Sequence, residues 1–126
     1  MIREEQDLVQ KPLVSHLKIR GVNGLVFWHT PNGAFLGGKR NRKGISIQGS
    51  IMKGMGVRKG VSDLILVHDS KIYALELKAV DGGTTEGQDE FLADMAAQGA
   101  FTAVAAGLDA AIKQLETWGL LKGRAA

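Results

Sequence analysis

The 126-residue chain has no cysteine. Disulfides, thiol catalysis and cysteine-ligated zinc are thereby excluded, and the composition suits a reducing cytoplasm, the compartment expected here. No apolar run approaches the roughly 18 residues that cross a bilayer, so no membrane partner is expected. The opening MIREEQ lacks an apolar h-region and is not read as a signal peptide. There is no internal repeat, no low-complexity tract and no sign of a second domain. The length fits one domain over residues 1–126, enough to bury about two thirds of its unfolded surface.

Acid is also missing from one half. From Leu8 to Ser62 there are ten Lys or Arg and no Asp or Glu, whereas from Asp63 onward ten acidic residues face five basic ones. The net charge of +3 hides this split. A long basic stretch without acid reads as the footprint of a polyanion such as a nucleic acid, the alternative being solvated loop charges. Lys39, Arg40, Arg42 and Lys43 in GGKRNRKG, read as a basic loop, and Lys53, Arg58 and Lys59 nearer the centre are the candidates for backbone phosphates. Residues 33–39, GAFLGGK, fit the glycine-rich pattern of a P-loop. Position 40 is Arg rather than Ser or Thr, and NRKG does not open a helix, so that reading is rejected.

What is present is concentrated between Gly60 and Lys78, GVSDLILVHDSKIYALELK. It reads as two strands and a turn. Lys71 to Ala79 alternate, and residues two apart share a face. Tyr73, Leu75, Leu77 and Ala79 form one face and read as core. Ile72, Ala74, Glu76 and Lys78 form the other. A hairpin would bring Asp63, at the start of the first strand, beside Glu76 and Lys78. Two hard oxygen donors suit Mg²⁺, and a nearby lysine suits an activated water or a phosphorane charge. Alternation alone leaves a second reading open, a Glu76–Lys78 ion pair on a solvated strand face.

Around this centre the remaining elements follow. Residues 3–20 read as a helix with the stripe Leu8, Val9, Leu13, Val14 and Leu17, either starting or kinking near Pro12. Glu4 and Glu5 precede the stripe, where they complement the helix dipole. Leu25–His29 is a short strand leading into the turn HTPNG, in which His29 reads as a packed or capping side chain and Asn32 as satisfying the turn. Ile47, Ile51, Met52 and Met55 suggest a short helix within Ile45–Gly56. Thr85-Glu86-Gly87-Gln88 is a capping box, and Gln88, Phe91, Leu92 and Met95 share one helical face. Gln88 can thus serve the cap or point at the charged cluster. Phe101–Ala105 reads as a short buried strand and Leu108–Trp118 as a last amphipathic helix.

G-V-x-D, then E-x-K thirteen residues on, then a helix-opening glutamine resembles the PD-(D/E)XK nuclease superfamily. Within it the chain looks like the stand-alone virus-type replication-repair nuclease (VRR-NUC) domain. REEQDLVQ, FWHTPNG, MGVRKGVSDLILV, YALELK, TTEGQDEF and GAFTAVAAG carry the likeness, in order and over most of the chain. Ser62 departs from it, standing where a proline usually precedes the aspartate.

The resemblance implies an α/β restriction-endonuclease-like core, a small mixed β-sheet flanked by helices in αβββαβα order. It implies a Mg²⁺- or Mn²⁺-dependent DNA endonuclease, acting on branched or four-way-junction (Holliday) DNA in replication or repair and working as a homodimer. The alternatives are a non-catalytic DNA-binding module and a sequence-reading restriction-type nuclease. On this reading Asp63, Glu76 and the backbone carbonyl of Leu77 hold the metal. Lys78 orients the water or stabilises the transition state, and Gln88 positions Lys78 or the water. The products are a 5′-phosphate and a 3′-hydroxyl. The family also carries a glutamate on its first helix. Glu5 is preferred for it and Glu4 comes second, although aligning Gln10 with the family's glutamine puts that position on Gln6. His29 and Asn32 are placed near the site as secondary candidates.

Overall fold

The computed structural model describes residues 5–31 and 47–123, without the side chains of 47–49. Four strands form one sheet in the order β1 (Val26–His29), β2 (Leu64–His68), β3 (Lys71–Lys78), β4 (Phe101–Ala106). β1, β2 and β3 are antiparallel, and β4 joins β3 in parallel. A parallel neighbour requires a crossover, and helix α3 (Glu86–Ala97) supplies it. Between β2 and β3 the chain reverses through Asp69 and Ser70, at φ 51° and 62°. Positive φ at both central residues is the geometry of a type I′ hairpin turn, which matches strand twist and fixes the register. Leu64 therefore faces Leu75 and Leu66 faces Tyr73.

The sheet has a helical layer on each face. Leu64, Leu66, Tyr73, Leu75 and Leu77 pack on one face against Leu13 and Leu17 of α1 (Lys11–Arg20) and Ala111, Ile112 and Leu115 of α4 (Leu108–Thr117). On the other face Ile65 and Ala74 meet Phe91 and Leu92 of α3. The α/β class and the mixed sheet flanked by helices are as expected from the sequence. A further short helix, α2 (Ile47–Gly54), falls within the expected Ile45–Gly56, but Ile51 and Met55 of its expected stripe are exposed.

Of the two readings of residues 3–20, a main helix starting near Pro12 or a kink there, the structure has the first. Glu5–Gln10 is a π-helical turn, and the α-helix begins at Lys11 with Pro12 in its first turn, where a missing N–H costs nothing. Val9, Leu13 and Leu17, four residues apart on one helical face, are buried, while Leu8, at the edge of the expected stripe, is exposed. The strand expected to be buried, β4, is an edge strand. Phe101 and Val104 are exposed, and Ala105 alone in it is fully buried. An apolar run marks a strand without saying which position in the sheet it takes.

Candidate metal centre

The site sits where β2 begins and β3 ends. The register that pairs Leu64 with Leu75 sets Asp63, one residue earlier, beside Glu76, one residue later. Glu5 arrives from the π-helical turn, four residues before the buried Val9. A single extra-wide turn inserted in a helix is a common feature of functional sites. Carboxylate oxygens of Glu5, Asp63 and Glu76 all lie within 4.8 Å of one another. Three residues distant in sequence and all acidic thus share one small volume.

Each carboxylate is held differently. Asp63 Oδ2 accepts the Leu77 backbone N–H at 2.8 Å. The Asp63 carbonyl accepts from Thr30 N at 3.2 Å and lies 2.7 Å from His29 Nδ1. A carbonyl only accepts, so Nδ1 carries the proton in that bond. Glu76 is 1 % exposed and Lys78 5 %. Glu76 Oε1 stands 3.4 Å from Gln88 Nε2 and 3.7 Å from Lys78 Nζ. Glu76 Oε2 is buried and has no hydrogen-bond partner among the described residues. The solvated ion pair that alternation left open is therefore not what is found; both groups are inside.

Burial has electrostatic consequences. The Glu76 carboxyl is pushed up to about 9, first by loss of solvent, then by the neighbouring Asp63 carboxylate, while Lys78 works against the shift. Glu5 is also raised, by burial first; Lys78 opposes that and Asp63 adds to it. The lysine lies too far from Glu76 for a hydrogen bond, which is consistent with burial outweighing it. Without a cation, the raised Glu76 carboxyl keeps a proton at neutral pH. A divalent cation could take that proton's place. Three hard oxygen donors with one orphaned buried oxygen among them fit such an ion.

Gln88 fills both roles that its sequence position allowed. Its Oε1 accepts from Thr85 N at 2.9 Å, and Thr85 Oγ1 accepts from Gln88 N at 3.3 Å, completing the capping box. The same Oε1 accepts from Lys78 Nζ at 2.9 Å. Helix α3 is thereby capped and tied to β3 by one side chain.

Of the remaining candidates, Lys53, Arg58 and Lys59 are exposed. Arg58 pairs with Asp94 at 2.6 Å and lies over the Phe91 ring, 5.2 Å from its centroid. Its guanidinium already has partners on α3. Leu77 contributes its N–H to Asp63, a backbone donor with no signature in sequence. The Thr30 amide is another of the same kind. Glu4, Asn32, Lys39, Arg40, Arg42 and Lys43 lie outside the described residues.

No family model matches the sequence. No curated protein matches it either. A solved structure described as a VRR_NUC domain protein superposes with a TM-score of 0.71 at 21% identity, covering 97% of this chain and 93% of that one. The chain has that protein's fold along nearly its whole length.

Proposed function

We propose that the chain is a deoxyribonuclease dependent on Mg²⁺ or Mn²⁺, hydrolysing phosphodiester bonds in branched DNA such as a four-way junction. The observation that carries this reading is the convergence of Glu5, Asp63 and Glu76 oxygens within 4.8 Å. Such crowding is unfavourable for three anions alone and favourable around a hard dication. The likeness of fold to a VRR_NUC domain protein supports it. The acid-free basic stretch supports a polyanionic substrate.

Asp63, Glu76 and the Leu77 carbonyl are the proposed ligands, with Glu5 completing the set. When bound, the ion would lower the pKa of a water and offset charge on the scissile phosphate. Lys78 supplies a fixed positive charge at the same point, where negative charge grows as the reaction proceeds. Gln88 limits the freedom of the Lys78 ammonium through their 2.9 Å bond. In the hydrolysis the water oxygen bonds to phosphorus and the P–O3′ bond breaks. The water proton passes to solvent, and O3′ takes one up and leaves as a hydroxyl, with a 5′-phosphate on the other strand end. Two copies around a two-fold axis would supply the two cuts that a symmetric junction needs.

The test is direct. Purified protein is incubated with Mn²⁺ and labelled single strands, duplexes, flaps and four-way junctions, with and without EDTA. Cleavage of the branched substrates that EDTA abolishes is the expected result. Glu76→Ala is expected to bind DNA and leave it whole. A parent protein that cuts no substrate in Mn²⁺, while still binding DNA, would favour the non-catalytic binding module instead.

A further inference from the structure

Gly60 lies three residues before Asp63, and its backbone runs across the first turn of α3 at φ 76°. A Cβ added there would collide with the carbonyl carbon and oxygen of Gly87 and stand 2.7 Å from Gln88 N. The obstacles are backbone atoms of a helix, which cannot move aside by changing rotamer. Between Gly60 and Asp63 there is no slack to absorb a shift. Val61 packs on the Ile65, Ala74, Phe91 and Leu92 cluster, and Ser62 is fully buried. In the other direction the contact is loose. A Cβ on Gly87 would stand 4.0 Å from Gly60 Cα and 4.0 Å from Lys59 Cβ, an ordinary van der Waals approach.

We propose that Gly60 is a positioning residue: its bare Cα seats the segment leading to Asp63 directly on α3 and so sets where Gln88 meets Lys78 and Glu76. The segment leading to Asp63 and the helix carrying Gln88 touch backbone to backbone here. Any side chain at position 60 would wedge them apart, lengthening the 2.9 Å Gln88–Lys78 bond and the 3.4 Å Gln88–Glu76 contact. The consequence for cleavage rests on the nuclease reading above; the consequence for Gln88 does not.

The molecule contains its own controls. Gly24 at φ 83° and Gly56 at φ 97° share the left-handed backbone but have no atom within 4 Å of an added Cβ. Alanine at either site costs the strain of positive φ without the collision. Gly60→Ala, Gly56→Ala and Gly24→Ala would be compared by thermal unfolding, by the ¹⁵N–¹H cross-peaks of the Gln88 side-chain amide (assigned by their loss in Gln88→Leu), and by single-turnover DNA cleavage in Mn²⁺. Gly60→Ala alone is expected to move the Gln88 peaks and to slow cleavage roughly 100-fold, the penalty for about 1 Å of misplacement, with apparent substrate affinity unchanged. Unmoved Gln88 peaks in folded Gly60→Ala, or a cleavage rate equal to that of Gly56→Ala, would overturn the proposal.

Should Gly60→Ala not fold, the same contact is probed from the helix with Gly87→Ala and Gly87→Val. Alanine fits the 4.0 Å gap and is expected to leave the Gln88 peaks in place, whereas valine overfills it and is expected to shift them. Identical peaks in the two variants would refute the contact. If the parent cleaves nothing, the nuclease reading fails, and the amide peaks still decide the role of Gly60.

Discussion

The two faces of β3 are equally buried and opposite in chemistry. Tyr73, Leu75 and Leu77 point into the larger core beside α1 and α4. Ala74, Glu76 and Lys78 point toward α3, and at Glu76 the apolar packing gives way to a carboxylate that is 1 % exposed. The first face gains stability from leaving water. The second spends some of it, since a buried carboxyl beside a second carboxylate is held only by keeping a proton or by meeting a cation. One strand thus anchors the fold with one side and carries the strained chemistry with the other.

The sharpest way to break this contrast is to change one residue on each face. Glu76→Gln keeps the shape and removes the charge. It is expected to lower cleavage on the order of 10³-fold in Mn²⁺, typical of losing a group aimed at the transition state. Its thermal midpoint at pH 8 is expected to equal or exceed that of the parent, which separates a functional loss from a folding one.

Leu75→Ala is the reciprocal change. Leu75 is fully buried. Its truncation is expected to cost about 2–5 kcal/mol in denaturant unfolding. Cleavage per folded molecule should stay near the parent value. A large rate loss in the folded fraction would mean that the two faces are not independent.

The third prediction concerns pH. The Glu76 carboxyl is raised from 4.5 to about 9 in the folded protein. Between those values the folded state binds more protons than the unfolded chain, so stability falls as pH rises through the window. The contribution is fully present below about pH 4.5 and lost above about pH 9. The slope of the metal-free protein is expected to reach at most about 1.4 kcal/mol per pH unit from this group. Thermal melts in EDTA across pH 5–9 would show it. Both Glu76→Gln and saturating Mn²⁺ should flatten the curve, the first by removing the titrating group and the second by replacing its proton.

The smallest effect belongs to the helix that closes the polar face. Thr85→Ala removes the oxygen that caps Gln88 N. The loss of one cap is expected to cost about 1 kcal/mol. Gln88 Oε1 keeps its bond to Lys78, so cleavage should change little. A large drop in rate with an unchanged midpoint would show that the cap, rather than the lysine, places Gln88.

Part of this was legible before any coordinates. Strict alternation from Lys71 to Ala79 put Glu76 and Lys78 on one face, because the strand period is two whatever surrounds it. The capping pattern at Thr85 and Gln88 marked the start of α3 for an equally local reason. The resemblance to the VRR-NUC domain anticipated the mixed sheet. Elsewhere local signals were insufficient. The stripe Leu8, Val9, Leu13, Val14 and Leu17 did not show where its edge falls, and Val9 is buried while Leu8 is not. FTAVA looked like a buried strand because its composition carries no information about its neighbours, and β4 lies at the sheet edge.

The sequence by itself determined which residue types lie on which face of β3 and where the helices can start, since both follow from short-range backbone geometry. Only the tertiary structure decided that Glu5 meets Asp63 and Glu76, that Glu76 is sealed from water, and that Gly60 rests on Gly87. Those facts depend on how elements far apart in the chain are brought together, and burial, which sets the electrostatics of the site, is a property of the packed whole.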